Sequence, residues 1–305
     1  MARNTTDTTG LQVVPTEPGE VVLRPRNVQF DTSHTPLHWI PNEPIVSHFI
    51  SAFNLLLPEG ERAFVDTFTR ALPYVKDDKI REAMIGFMGQ EAVHAETHHK
   101  VLGDFLEKNG LDVRPALTQI EYITHMLERT NELRSEKLRY RVMVEKLALI
   151  AGIEHFTAVL GDWVLNHPFE KFNADPEMVD LFRWHGAEEV EHRSVAYDVA
   201  RYFQIRRGHM MLTFVLATVL LVGVMLRYTK FLVRQDPSLP NYGVFGVLRQ
   251  MNKAMKRGAF LRWRELGKSA LEFMRPGFSP DQVGSTAQAV AYLSTSPAAK
   301  AAAGY

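Results

Sequence analysis

Three hundred and five residues, 46% of them apolar and 23% charged, can close one large domain or two small ones around a core and are not the composition of a disordered chain. Cysteine is absent. That excludes a disulfide framework and zinc-thiolate or iron-sulfur sites, leaves oxygen and nitrogen as metal donors, and favours a reducing, cytoplasmic setting.

The 35 basic and 35 acidic residues cancel overall, but 1–205 carry 21 and 31 while 206–276 carry 13 and 3: an acidic body, then a basic piece. Residues 1–44, rich in Thr, Pro, Val and Asn, read as an arm without regular structure. Met1–Pro44 lacks the basic-then-apolar order of a secretory signal. From 45 onward apolar residues recur at a period near 3.6, so the body is predicted to be all-α. A helix is expected over 45–56 and a second from Pro58, whose missing N–H suits a first turn, with Phe64, Val65, Phe68 and Leu72 inward. The third starts at Asp77 or Asp78 and stops at Asn109-Gly110. The charged stretch 116–135 reads mostly as a connection. A long helix over 136–165 follows, then one from Asp175-Pro176 to about Phe203. Met210–Leu226 is a run without charge, 243–274 reads as a basic amphipathic helix, and the Ala/Ser-rich end from 284 as weakly ordered. The expected segments are thus an arm (1–44), a helical bundle (45–205), apolar and basic helices (206–276) and a tail (277–305).

Residues three apart on a helix share a face, so Glu-x-x-His points a carboxylate and an imidazole at one volume. Glu91-x-x-His94 continues the apolar stripe of Met84, Phe87 and Val101, and Glu189-x-x-His192 that of Leu181, Ala196 and Val199. Glu96-x-x-His99 lies off the stripe. Glu154 sits among Leu147, Ile150, Ala151 and Ala158, and Glu61 precedes Phe64, Val65 and Phe68. Glu59 shares its face with Arg62 and Asp66, a solvated combination, and Glu188 is the rival of Glu189. Four inward carboxylates repel one another unless cations neutralise them. One Glu from each of two helices and Glu-x-x-His from each of two others is the ligand set of di-iron and di-manganese carboxylate bundles. His185, on the face of Glu189 and His192, is either a further ligand or a core histidine bonded to a ligand carboxylate. His98 is expected in an outer, proton-relaying position, and His155 points elsewhere.

The segments 58–62 (PEGER), 90–96 (QEAVHAE) and 188–193 (EEVEHR) resemble the bacterial family of predicted metal-dependent hydrolases within the ferritin-like superfamily, over residues 25–280. The spacing His185-x3-Glu189-x2-His192 is similar to that of the p-aminobenzoate N-oxygenase family, whose di-iron site has one extra histidine. The resemblance implies a ferritin-like four-helix bundle with two iron ions, manganese or zinc being the alternatives. Glu61, Glu91 and His94 would hold one ion, and Glu154, Glu189 and His192 the other, with His185 added to the second. The expected activity is oxidation of a hydrophobic small molecule with O2 and an electron donor. The alternatives are dinuclear metal-dependent hydrolysis and, third, non-catalytic iron binding.

The run 210–226 is near the lower limit for crossing a bilayer and is apolar all round. Basic residues flank both of its ends, and more follow at 249–268, a pattern of membrane-surface binding. An anionic membrane surface is therefore an expected partner. A covering helix or a homodimer interface is the plainer alternative, and nucleic acid is not expected on an acidic body.

Overall fold

The computed structural model describes residues 21–304, so the part of the arm before 21 lies outside the described residues. No strand occurs among them. Helix α1 spans Pro44–Ser51 and α2 spans Phe53–Ala71. The helix expected from Pro58 therefore starts five residues earlier, and Pro58 lies buried inside it. Helix α3 covers Asp78–Val101, with the Asp77 carboxylate accepting from the Ile80 N–H as its cap. A π-helical turn, Leu102–Glu107, carries the chain to Gly110, whose φ of 84° is the left-handed stop the sequence offers.

The stretch read as a connection folds as α4, Arg114–Glu128. It buries only Ala116 and Ile120, so its apolar face is too narrow to stand out from sequence. Helix α5 runs over Glu136–Asn166, capped by Ser135, and α6 over Pro176–His192, capped by Asp175 with Pro176 in the first turn. The helix expected to reach Phe203 breaks at Arg193-Ser194 and resumes as α7, Val195–Tyr202. Helix α8 spans Arg207–Gln235. The single basic helix expected over 243–274 is two, α9 (Val244–Arg257) and α10 (Trp263–Met274), parted at Gly258, which has a φ of 82°. The end expected to be weakly ordered forms α11 (Thr286–Leu293) and α12 (Pro297–Ala302), which pack on α6 and bury Ala289, Leu293, Ala298 and Ala299.

Helix α2 packs on α3 and α5 on α6, and α2–α5 and α3–α6 contacts join the two pairs. The arm belongs to the core: Val28, Phe30, Trp39 and Ile40 are buried in the same apolar cluster as Trp184 of α6 and Leu232 of α8. Leu23 lies against Gly86, where a Cβ would come within 2.5 Å of it. Helices α5 and α6 meet backbone to backbone. A Cβ on Gly161 would sit 2.5 Å from the Gly186 carbonyl oxygen, and one on Gly186 2.5 Å from Val164 Cγ2. That close approach brings His185, Glu189 and His192 up to the inward face of α5.

Candidate metal centre

The seven residues singled out as ligands converge. Glu61 comes from α2, Glu91 and His94 from α3, Glu154 from α5, and His185, Glu189 and His192 from α6; all are buried. Their donor atoms form two groups, each within 4.8 Å: Glu61, His94 and His185, and Glu91, Glu189 and His192. His192 Nε2 lies 3.3 Å from Glu91 Oε1, 3.3 Å from Glu154 Oε2 and 3.4 Å from Glu189 Oε2. Glu189 Oε1 faces the other way, 3.1 Å from His185 Nε2 and 3.6 Å from His94 Nδ1, and His185 Nε2 is 4.0 Å from Glu61 Oε1. Glu189 alone reaches both groups. The grouping corrects the sequence reading: His185 sides with Glu61 and His94, because two turns of α6 separate it from His192.

Spacings of 3 to 4 Å are what ligand atoms about 2.1 Å from a shared ion adopt. The inward atoms have nothing else to bind: both oxygens of Glu61, Glu91 Oε1, Glu154 Oε2, Glu189 Oε2, His94 Nδ1 and His192 Nε2 are buried without a hydrogen bond.

The outer nitrogens of all three imidazoles are engaged. His94 Nε2–H donates to Glu188 Oε2 at 3.0 Å, and Glu188 in turn accepts from Arg26 at 2.8 Å and from Trp184 Nε1 at 3.2 Å. His192 Nδ1–H donates to Gln90 Oε1 at 3.0 Å. His185 Nδ1–H donates to His98 Nε2 at 2.9 Å, and His98 Nδ1–H donates to Asn54 Oδ1 at 2.7 Å. Each arrangement leaves a bare nitrogen aimed inward, as outer partners do for metal-ligating histidines. The donor set therefore fits two metal ions.

Without metal the cluster must hold protons instead. Burial, then the neighbouring carboxylates Glu189 and Glu154, push the Glu61 and Glu91 carboxyls well above their ordinary range. Burial and Glu189 raise Glu154 to about 7. Burial lowers His94 and His98, with His185 adding to both. For His192 burial acts downward too, but the Glu189 carboxylate outweighs it and the imidazole is held well above its usual value. Glu189, against the effect of burial, is correspondingly held low by His192 and His185.

Glu188, the rival of Glu189, proves to be the partner of His94, its carboxyl raised to about 7 by burial that Arg26 only partly offsets. Sequence reasoning missed this role, and also those of Gln90, Arg26 and Asn54. The one available signal was three glutamates in four residues at 188–191. Glu59 pairs with Arg62 at the surface, as its face predicted. His155 points away from the centre and donates to Ser269 within a ring of phenylalanines. A separate triad, His38, His48 and Asp236, joins the arm, α1 and the end of α8 through hydrogen bonds of 2.6 and 2.7 Å to one carboxylate oxygen.

A cavity of about 210 Å³ opens beside the centre. Glu61, Glu91, Glu154 and Glu189 form one wall; Phe53, Leu57, Phe64, Leu160, Leu220 and Leu221 are among the apolar residues of the rest. Gly60 leaves space above Glu61 that a side chain would occupy.

The sequence model of the predicted metal-dependent hydrolases matches residues 24–284, which contain every residue of this centre and all of α1–α10. The chain belongs to that family. No curated protein and no solved structure matches it significantly. In this predicted metal-dependent hydrolase the two His/Glu clusters and the His38–His48–Asp236 triad are, among the described residues, groups that could hold metal.

Proposed function

We propose that the chain is a dinuclear metal enzyme, built on a ferritin-like pairing of α2–α3 with α5–α6, that acts on an apolar small molecule. The observation that carries the reading is the set of buried, unbonded carboxylate and imidazole atoms facing one another beside an apolar cavity. Glu61, His94 and His185 would hold one ion, Glu91, Glu154 and His192 the other, and Glu189 would bridge. Bound there, the pair supplies water activation and carbonyl polarisation or, with a redox-active metal such as iron, activation of O2. The protein does the rest: the apolar walls exclude bulk water, and Glu188, Gln90 and the His98–Asn54 pair fix the imidazoles.

Hydrolysis is the first reading, because the family description supports it. Oxidation with O2 is the second, and a specific observation supports it. Apart from the carboxylates, the cavity offers one polar side chain, Thr157, whose hydroxyl already donates to the Glu154 carbonyl. A lining otherwise apolar suits a hydrocarbon substrate, which offers no bond for hydrolysis. Metal analysis, ester cleavage and O2 uptake by the reduced protein separate the readings. Two ions with O2-independent cleavage support hydrolysis, O2 consumption at two irons supports oxidation, and failure to bind metal sinks both.

The exposed side of α8 supports a further part of this reading. Among the described residues, α5 and α8 are long and apolar enough to cross a membrane by length and composition; α5 is largely buried, while only 28% of the apolar stretch of α8 is. Leu212 and Val219 are 67% and 65% exposed, with Val215 and Leu216 between them and Leu220 just beyond. Arg206, Arg207, Arg227, Lys230 and Arg234 flank the stretch. Since its other side packs on α5, α8 would lie along an anionic bilayer rather than through it.

A further inference from the structure

We infer that the substrate is a long unbranched hydrocarbon chain, its reacting carbon at the four carboxylates and its tail in a second chamber between α8, α9 and α10. This rests on the reading of the centre as the reacting site. The second chamber measures about 270 Å³. Phe53, Leu160 and Leu221 line it and also line the chamber at the carboxylates, so the two spaces share one wall. Together they reach the roughly 300–1,000 Å³ of small-molecule pockets.

The far chamber dictates what it can hold. Its polar lining groups are the Thr218 hydroxyl, which donates to the Phe214 carbonyl at 2.8 Å, and the Trp263 indole N–H. No charged side chain lines it, so its occupant is mainly hydrocarbon. Only the side chains of Phe53, Leu160 and Leu221 stand between the two spaces, and their rotation would admit a flexible chain more readily than a rigid fused-ring system. Met225, Met251 and Met255 on the far walls are unbranched and adapt to a tail of variable shape. Trp263 lines this chamber and not the one at the carboxylates.

The test uses straight-chain primary alcohols carrying bromine on the terminal carbon, with tryptophan quenching as the readout and no turnover needed. The full-length protein should bind one bromohexadecanol, the quenching should vanish in Trp263→Phe, and affinity across the series should rise about three- to fourfold per methylene. Ala270→Trp and, independently, Val222→Trp fill the far chamber. Each should weaken hexadecanol binding by about tenfold or more while leaving the butanol homologue within about twofold. Equal binding of long and short alcohols, several chains per protein, or no effect of either filling variant would overturn the proposal. Glu189→Gln separates this from the reading of the centre: it should lose metal and keep the alcohol, whereas a metal-loaded protein that ignores the alcohols refutes the channel alone.

Discussion

Helix α6 and helix α8 break the same rule in opposite directions. Along α6 the buried face carries His185, Glu188, Glu189 and His192, groups that water would normally claim. Along α8 the exposed face carries Leu212, Val215, Leu216 and Val219, groups that water normally expels. Each inversion has a partner outside the polypeptide in the proposed reading, metal in the first case and a bilayer surface in the second. The difference between them lies in the surroundings. Around α6 every outward nitrogen is anchored by Glu188, Gln90 or His98, so the inward atoms are held in place. The α8 face is apolar and offers no such anchors.

The comparison is broken most directly at Glu189, which reaches both donor groups. Glu189→Ala should empty the centre and lower activity to below about one hundredth; retention of two ions by metal analysis would count against the centre. Conditions sharpen the same point. Because burial and Glu189 raise Glu154 to about 7 and burial holds Glu61 and Glu91 well above their ordinary range, metal must displace protons. Apparent metal affinity should therefore rise across about pH 6 to 8, with proton release seen by calorimetry in buffers of different ionisation enthalpy.

Buried neutral histidines away from the donors set the next effect. Burial lowers His155 and His167 to about 4. The unfolded chain binds protons on them first, so their contribution to stability is complete above about 6.5 and is lost as pH falls toward 4. His155, the more enclosed, should account for about 2 to 3 kcal/mol. Denaturant titrations over that range should show a shallower decline in His155→Phe. Gly186→Ala, which forces α5 from α6, should cost about 1–3 kcal/mol and weaken metal binding together with stability; a metal affinity untouched by it would mean that this contact does not position the donors. The smallest effect on folding belongs to α8. Leu212→Asp with Val219→Asp should change stability by no more than about 0.5 kcal/mol each, yet abolish sedimentation with anionic vesicles. If the variant instead converts a dimer to a monomer, the face is a subunit interface.

What could be read in the sequence was whatever repeats along one helix. Glu91 with His94 and Glu189 with His192 stand out because spacing and apolar stripe coincide within a few residues. Glu61 and Glu154 follow from their stripes. What escaped depends on contacts between distant segments. His185 lies on the expected face, but only the packing of α6 against α3 and α5 decides which donor group it joins. Glu188 looked like an alternative ligand until Trp184 and Arg26 surrounded it. Helices α4, α11 and α12 have narrow apolar faces and take their burial from neighbours, so no window of sequence announced them. Pro58 suggested a helix start, yet it is accommodated within α2, whose first turn it follows.

Arg26 spans the longest interval at the centre. It donates to Glu188 at 2.8 Å and makes two further bonds to Glu191, across 162 and 165 residues of chain. Through Glu188 it sets the orientation of His94, so the imidazole is aligned only once the arm has come back across α3 and α6. The arm thereby serves as a clasp across α3 and α6: residues far apart in the chain must meet before His94 is fixed, so in the proposed reading tight metal binding reports a closed arm as well as assembled helices.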